Sequence, residues 1–193
     1  MARPHKSLKG QLLLDGGQLA GSWFHRSVVL VCEHNSEGAF GLVLTKLSDS
    51  RVEDVLEGDL GPVIGGQILC GGGPVQPAAL SFLRLVDAAA ESPGATQTLV
   101  LPGLWVGHQL EDLVDLGRSS PQPGSVRVFA GYAGWSPGQL DGEMKRKAWL
   151  TEPATAELIF SVPPEQLWRH ILKRRTNWLD RRLAESPEDP ACN

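Results

Sequence analysis

The chain has 193 residues, 41% hydrophobic and 21% charged, with a formal net charge of −4. That length supports one well-buried core and gives no reason to invoke a second domain. The acidic balance argues against a protein that coats nucleic acid, where phosphate neutralisation supplies the non-specific affinity.

No apolar run approaches the roughly 20 residues of a membrane-spanning helix. Arg3 and Lys6 precede only Leu12–Leu14 before Asp15, too short a stretch for a secretory signal. The expectation is a soluble, cytoplasmic protein with no membrane partner. Cys32, Cys70 and Cys192 are odd in number and lack Cys-x-x-Cys spacing, which points to reduced thiols rather than a disulfide framework or zinc knuckle.

Along the chain, residues 1–6 are too polar to pack and read as an N-terminal tail. Gln11–Leu14, Val28–Cys32 and Gly41–Thr45 are short, aliphatic and bounded by turn formers, as strands are. Val52, Val55 and Leu56 then space as one helix face. Gln67–Cys70, Leu80–Leu85 and Thr98–Leu101 come next as strands, with a loop expected at Asp87–Thr96. Leu110, Leu113 and Leu116 mark a helix, Gly117–Ser125 a loop, and Val126–Ala130 a strand. Leu167, Trp168, Ile171 and Leu172 give the clearest helical stripe. Strands and helices without strict alternation favour an α+β fold over a doubly wound parallel sheet. The organisation expected is a tail at 1–6, a single domain over 7–173 and a C-terminal extension over 174–193, helical and then disordered.

Three strings carry the polar and glycine content. Glu33, His34 and Asn35 end the second strand, where a histidine beside a carboxylate suits a general base, and Asn35-Ser-Glu-Gly38 suits a hairpin. Strict alternation puts Cys32 and His34 on one face, so a thiol–imidazole pair is one reading. Gly71-Gly-Gly-Pro-Val75 fits a tight turn or an anion nest, although Pro74 removes one N–H donor. Phe129–Leu140 is a strand-to-helix junction in which Ser136 reads as N-cap, Pro137 as the first helical residue and Gln139 as the reciprocal capping-box partner. Gly134-Trp-Ser-Pro-Gly138 has the spacing of a nucleophile elbow. The proline after the serine, however, has no N–H to offer an oxyanion.

Trp135 suits a core anchor or a stacking platform. Arg26 and Glu143 suit a salt bridge between sheet and helix or a polar pair at a pocket mouth. Five histidines without ligand spacing give no metal site, and no nucleotide or other cofactor motif is present. Arg169, Lys173, Arg174, Arg175, Arg181 and Arg182 scatter around a projected helix. Arg175 and Arg182 fall in its apolar arc, which predicts a break near Thr176–Asn177 and makes a poor DNA-reading face.

Leu8 and Gly10, Phe24-His-Arg-Ser-Val28, the Glu33-His-Asn string, Gly72-Gly-Pro-Val75, Gly131-Tyr-Ala-Gly-Trp135, Gly138-Gln-Leu140, Glu143 and Trp149-Leu150 resemble, in this order, the bacterial YqgE/AlgH family from about Leu8 to Trp168. The family usually has Asn-Arg-Pro or Asn-Lys-Pro after its Gly-Leu-Val-Leu strand, where this chain has Thr45-Lys46-Leu47. The resemblance implies an α+β fold with a bifurcated, mostly antiparallel sheet curled into a pseudo-barrel with flanking helices. It also brings a regulatory association carried by the family name, and no particular reaction.

The reading ranked first is a non-enzymatic regulatory or adaptor protein that binds a small ligand or protein partner. Its surface would be drawn from Arg26, Glu33, His34, Asn35, Gly72, Gly73, Pro74, Tyr132, Trp135, Gln139 and Glu143, with no residue assigned as catalytic. The alternatives are a direct transcriptional regulator, against which the scattered basic residues weigh, and an enzyme centred on His34 or Cys32. The three strings are expected to converge in space.

Overall fold

The computed structural model describes residues 6–86 and 96–186. The first half of the chain forms β1 (Gln11–Asp15), β2 (Val28–Asn35), β3 (Gly38–Val43), β4 (Leu47–Arg51), α1 (Val52–Val55), α2 (Gly61–Gly65), β5 (Ile68–Gly71) and β6 (Val75–Leu85). Then come β7 (Thr98–Leu101), β8 (Leu104–Gly107), α3 (Leu110–Arg118), β9 (Val126–Trp135), α4 (Gln139–Lys145), β10 (Trp149–Pro153), α5 (Ala156–Phe160), α6 (Pro164–Arg174) and α7 (Trp178–Glu185).

The fold is α+β, built on a large, mostly antiparallel sheet with flanking helices. Its strands run β10-β1-β2-β3-β9-β6-β8-β7. The sheet forks at β9. One edge of β9 pairs with β6; the other pairs with β3 through Ala133–Trp135 and with β5, in parallel, through Phe129 and Ala130. β4 adds to the free side of β5. The curl brings Val100 of β7 back over Gly10 but stops short of a closed barrel.

Alternation along the strands sorts apolar side chains to two faces. Leu12, Leu14, Val28 and Leu30 point to the inner face, where they meet Phe129, Leu104 and the Leu167, Trp168, Ile171 and Leu172 stripe of α6. Leu13, Val29, Val31 and Val43 point outward and are covered by Trp135, Leu140 and Trp149. A second outer cluster joins Phe82, Val126 and Val128 to Ile64, Leu113 and Leu116. Each such burial contributes about 1.5–3 kcal/mol.

Two irregularities break this alternation. Val31 pairs with Gly41 and Glu33 with Phe40, so Cys32 is an extra residue in β2. In β9, Gly131 at φ +71° alone faces residues 76–79 of β6, and the strand turns over there: Phe129 and Tyr132 both reach the inner core, while Ala133 and Trp135 reach the outer one. The expectation of strict alternation is therefore corrected. Cys32 faces the inner core, and His34 lies on the outer side beside Leu8 and α4.

The expected start of the fourth helix is also corrected. Gln139 N–H donates to the Ser136 carbonyl at 3.0 Å, and Gly138 sits at φ +71° behind Pro137. Ser136–Gln139 is therefore a turn with proline at its second and a left-handed glycine at its third position, and α4 begins only at Gln139. Half of the expected capping box forms. Gln139 Oε1 accepts the Ser136 N–H at 3.1 Å, but the helix N-cap is Gly138 and not the serine hydroxyl.

The face expected from Val52, Val55 and Leu56 shrinks to the single turn of α1, with Val52 buried and Val55 exposed. The break near Thr176–Asn177 is present. α6 ends at Arg174, and the Asn177 side chain caps α7 by accepting the Leu179 N–H at 3.0 Å. α7 is no loose appendage, because Ala184 is buried in the inner core. Arg175 fastens it: Nε donates to Asp180 at 2.7 Å, and Nη1 donates to Glu152 at 3.1 Å and to the Thr151 carbonyl at 2.9 Å. The expected 1–6 tail, the expected Asp87–Thr96 loop and the end of the extension for which disorder was expected fall almost wholly outside the described residues.

Candidate functional site

The three strings meet where β2, β3 and β9 join. Asn35 faces Gly38 across the hairpin and accepts the Glu37 N–H at 2.8 Å, so this exposed residue serves the turn. Ala39 and Phe40 pair with Trp135 and Gly134, and Val75 pairs with Tyr132. Gly72 N–H donates to the Ala130 carbonyl at 2.8 Å, and the Gly72 carbonyl accepts from Val43 at 2.8 Å. A side chain at Gly73 would overlap the Tyr132 backbone, and one at Gly131 the Gly73 carbonyl. Small residues are thus required by close backbone crossing. Gly71 and Gly72 have their N–H groups bound to backbone carbonyls, which favours the turn reading of this string over an anion nest; Pro74 stands exposed beside it.

The two irregularities divide the side chains of these strings between two faces. On the outer face, His34 Nδ1 accepts the Leu8 N–H at 3.0 Å, and its Nε2 lies 3.8 Å from Asp141. Glu143 accepts from Trp149 Nε1 at 2.7 Å, Trp135 Nε1 at 2.9 Å and Gln139 Nε2 at 3.0 Å. Trp135 is consequently a core anchor, its indole locked edge-on to Trp149. Arg26 goes elsewhere. It stacks over Trp168 with its Cζ 5.3 Å from the ring centroid, and it donates to the Ser186 carbonyl and hydroxyl at 3.0 and 2.9 Å. The expected Arg26–Glu143 relation does not form.

On the inner face a different group assembles. Phe40 stacks edge-on against His108 at 5.1 Å between centroids and tilts against Tyr132 at 5.2 Å. Ser81 Oγ lies 3.0 Å from His108 Nδ1. Burial of the inner part of the ring lowers the His108 pKa, opposed by the negative charge of Glu33 and a hydrogen bond to the Leu80 backbone. Phe40, Tyr132 and Glu33 are half-buried, His108 is exposed at its rim, and Ser81 is 2% exposed. Ser81 on β6 and His108 just past the end of β8 lie 27 positions apart, so no local motif marks them; only the β6–β8 pairing brings them together.

Burial pushes the Cys32 thiol far above its ordinary range and the Cys70 thiol up to about 11. Both are poor nucleophiles at neutral pH. Thr45, where the resemblance leads one to expect asparagine, accepts the Val28 N–H at 3.2 Å. Among the described residues no group of three or more His, Cys, Asp or Glu side chains is placed to hold a metal, and no helix is long and apolar enough to cross a membrane.

A forked, curled sheet closed over its inner core by α6 defines a class shared with known proteins. Residues 12–178 match the AlgH-like family, and the chain belongs to it. It is similar to a UPF0301 protein of Streptomyces avermitilis, 37% identical over 97% of this chain and 96% of the relative. A UPF0301 protein of Chlorobium chlorochromatii is 35% identical over the same shares. Among solved structures, a Corynebacterium diphtheriae protein superposes with a TM-score of 0.78 at 25% identity, covering 97% of this chain and 95% of that one. The AlgH protein of Pseudomonas aeruginosa gives 0.70 at 28% identity, covering 97% and 100%.

Proposed function

We propose that the protein is a non-enzymatic adaptor or regulatory protein whose recognition surface is the inner-face patch of Glu33, Phe40, Tyr132 and His108. One observation carries this reading: two aromatic rings and an imidazole stack at the rim of the inner core, beside a carboxylate. Rings of this kind offer a large apolar area with little conformational entropy to lose on binding, and the polar neighbours give orientation. The occupant is a small ligand or a segment of a protein partner. On the outer face, His34 and Glu143 have their lone pairs engaged by Leu8, Trp135 and Trp149, which favours a purely structural role there. DNA reading finds little support in the basic C-terminal residues, since Arg175 binds carboxylates of the chain and Arg182 lies over Trp178.

Tyr132 is the sole tyrosine of the chain, so ring-labelled tyrosine gives one NMR probe at this surface. Titration with the metabolite fraction and, separately, the protein fraction of a cell extract is expected to shift that resonance with one of them. The shift should be lost in His108→Ala. A Tyr132 signal unmoved by either fraction would place recognition elsewhere.

A second reading comes from the Ser81–His108 hydrogen bond, with Glu33 acting on the same imidazole: a serine hydrolase centre. It ranks below the first because the serine is sealed from solvent. Covalent labelling by a fluorophosphonate, abolished by Ser81→Ala, would raise it to first place.

A further inference from the structure

At the opposite end of β9 from Tyr132, an open cavity of about 480 Å³ lies among α2, the 119–125 loop and α5. Its wall is mostly apolar, with Pro62, Val63, Pro123 and Phe160 among the lining residues. Gln67 and Arg127 are the polar side chains in that wall. Gln67 is fixed by Nε2 donating to the Val63 carbonyl at 2.8 Å.

Arg127 is the unusual group. Its Cζ sits 6.0 Å from the Phe160 ring centroid, and its Nη2 makes one long hydrogen bond, 3.5 Å, to the Val162 carbonyl. Its Nη1 is out of water with no hydrogen-bond partner among the described residues. Partial burial pulls the Arg127 pKa down, against the pull of Cys70 and Glu165. A guanidinium held away from water wants an acceptor for every N–H, and its planar fork matches the edge of a carboxylate or a phosphate. Most arginines in such a place have a carboxylate beside them. None of the described carboxylates lies within ion-pair distance of this one, while a space of the size that holds a metabolite opens next to it.

We propose that this cavity is a binding site for a small amphipathic carboxylic acid, its carboxylate on Arg127 and its apolar body against Val63, Pro62 and Phe160. The apolar wall selects against a free oxyanion such as phosphate, which would leave most of its oxygens unpaired there. The site is separate from the Tyr132 surface and stands or falls independently of it.

The test uses the full chain with methyl-labelled valine and arginine side-chain NMR, and four probes: 4-phenylbutyrate, its neutral amide, acetate and inorganic phosphate. Phenylbutyrate is expected to shift the Val63 and Val126 methyls and the Arg127 Nε–H saturably, with the amide at least about tenfold weaker and acetate and phosphate weaker still. Arg127→Met should erase the preference for the acid over the amide. Val63→Trp, which fills the cavity from α2 and leaves the guanidinium in place, should abolish binding of both; it serves as the decisive variant should Arg127→Met fail to fold. Equal binding of acid and amide, phosphate binding as well as the acid, unchanged binding in Val63→Trp, or no saturable shift at these residues would each overturn the assignment.

Discussion

Replacing Glu143 with alanine leaves the indole N–H groups of two buried tryptophans without their acceptor. Trp135 and Trp149 are 7% and 4% exposed, and both donate to the same oxygen, Oε2. A buried donor left unpaired costs about 1–3 kcal/mol, and bonds to a charged acceptor lie at the upper end. Two of them set the loss at about 3 kcal/mol or more, which at about 2–4 °C per kcal/mol for a chain of this size lowers Tm by about 6–12 °C. Glu143→Gln keeps an oxygen where both indoles point and turns its amide toward the exposed Gln139, so its cost is about 1 kcal/mol. Urea unfolding followed by far-UV circular dichroism measures both variants without relying on the perturbed tryptophans. A loss under about 1 kcal/mol for the alanine variant, or equal losses for the two, would refute the reasoning that one carboxylate oxygen pins α4 to β9 and β10.

Ser136→Ala should change stability by less than about 0.5 kcal/mol, because the hydroxyl is not the helix cap, whereas Gln139→Ala, which removes the acceptor of the Ser136 N–H, should cost about 0.5–1 kcal/mol by the same unfolding assay. Gly131→Ala combines a positive φ with an overlap on the Gly73 carbonyl, so a loss of about 2 kcal/mol or more is expected; near-wild-type stability would mean that the strand crossing has room for a methyl group. Between pH 9.0 and about 11 the unfolded chain loses the Cys70 proton while the folded chain keeps it. Stability therefore falls with rising pH across that window, and Cys70→Ala should shallow the slope of urea midpoints against pH. Duplex DNA should bind weakly, without sequence preference and with affinity that fades as salt rises; one sequence held about a thousandfold tighter than scrambled DNA at physiological salt would make the transcriptional-regulator reading primary.

The sequence carried the elements whose signal is local. Thr98–Leu101 is β7 to the residue, Leu110, Leu113 and Leu116 lie on α3, and the Leu167–Leu172 stripe is the buried face of α6. Strands β4, β8 and β10 escaped because their residues alternate weakly or are too few; β4 reads Leu-Ser-Asp-Ser-Arg and gains its identity from pairing with β5. The Pro137-Gly138 turn displaced the expected cap because a left-handed glycine behind a proline closes a turn before a helix can start.

At the site, the convergence of the three strings was legible, since each breaks an apolar run with residues small enough for a backbone to cross. Which side chains face one another was not. A bulge at Cys32 and the left-handed backbone at Gly131 each reverse the parity of the strand residues beyond them, so Glu33 and Tyr132 turn inward while His34 and Trp135 turn outward. His108 and Ser81 had no sequence mark because their meeting depends on the register of Phe82 with Gly107.

Genetic incorporation of azidophenylalanine at Tyr132 keeps the ring that stacks on Phe40 and turns it into a light-activated trap in living cells. The same residue at the exposed Trp178 on α7, 61% exposed, controls for chance encounters. Discrete adducts at position 132 that disappear when Glu33→Ala or His108→Ala is added, with none of them formed at position 178, are the predicted outcome. Adducts that form equally at both positions, or that persist in the Glu33 and His108 variants, would contradict recognition by the inner-face patch.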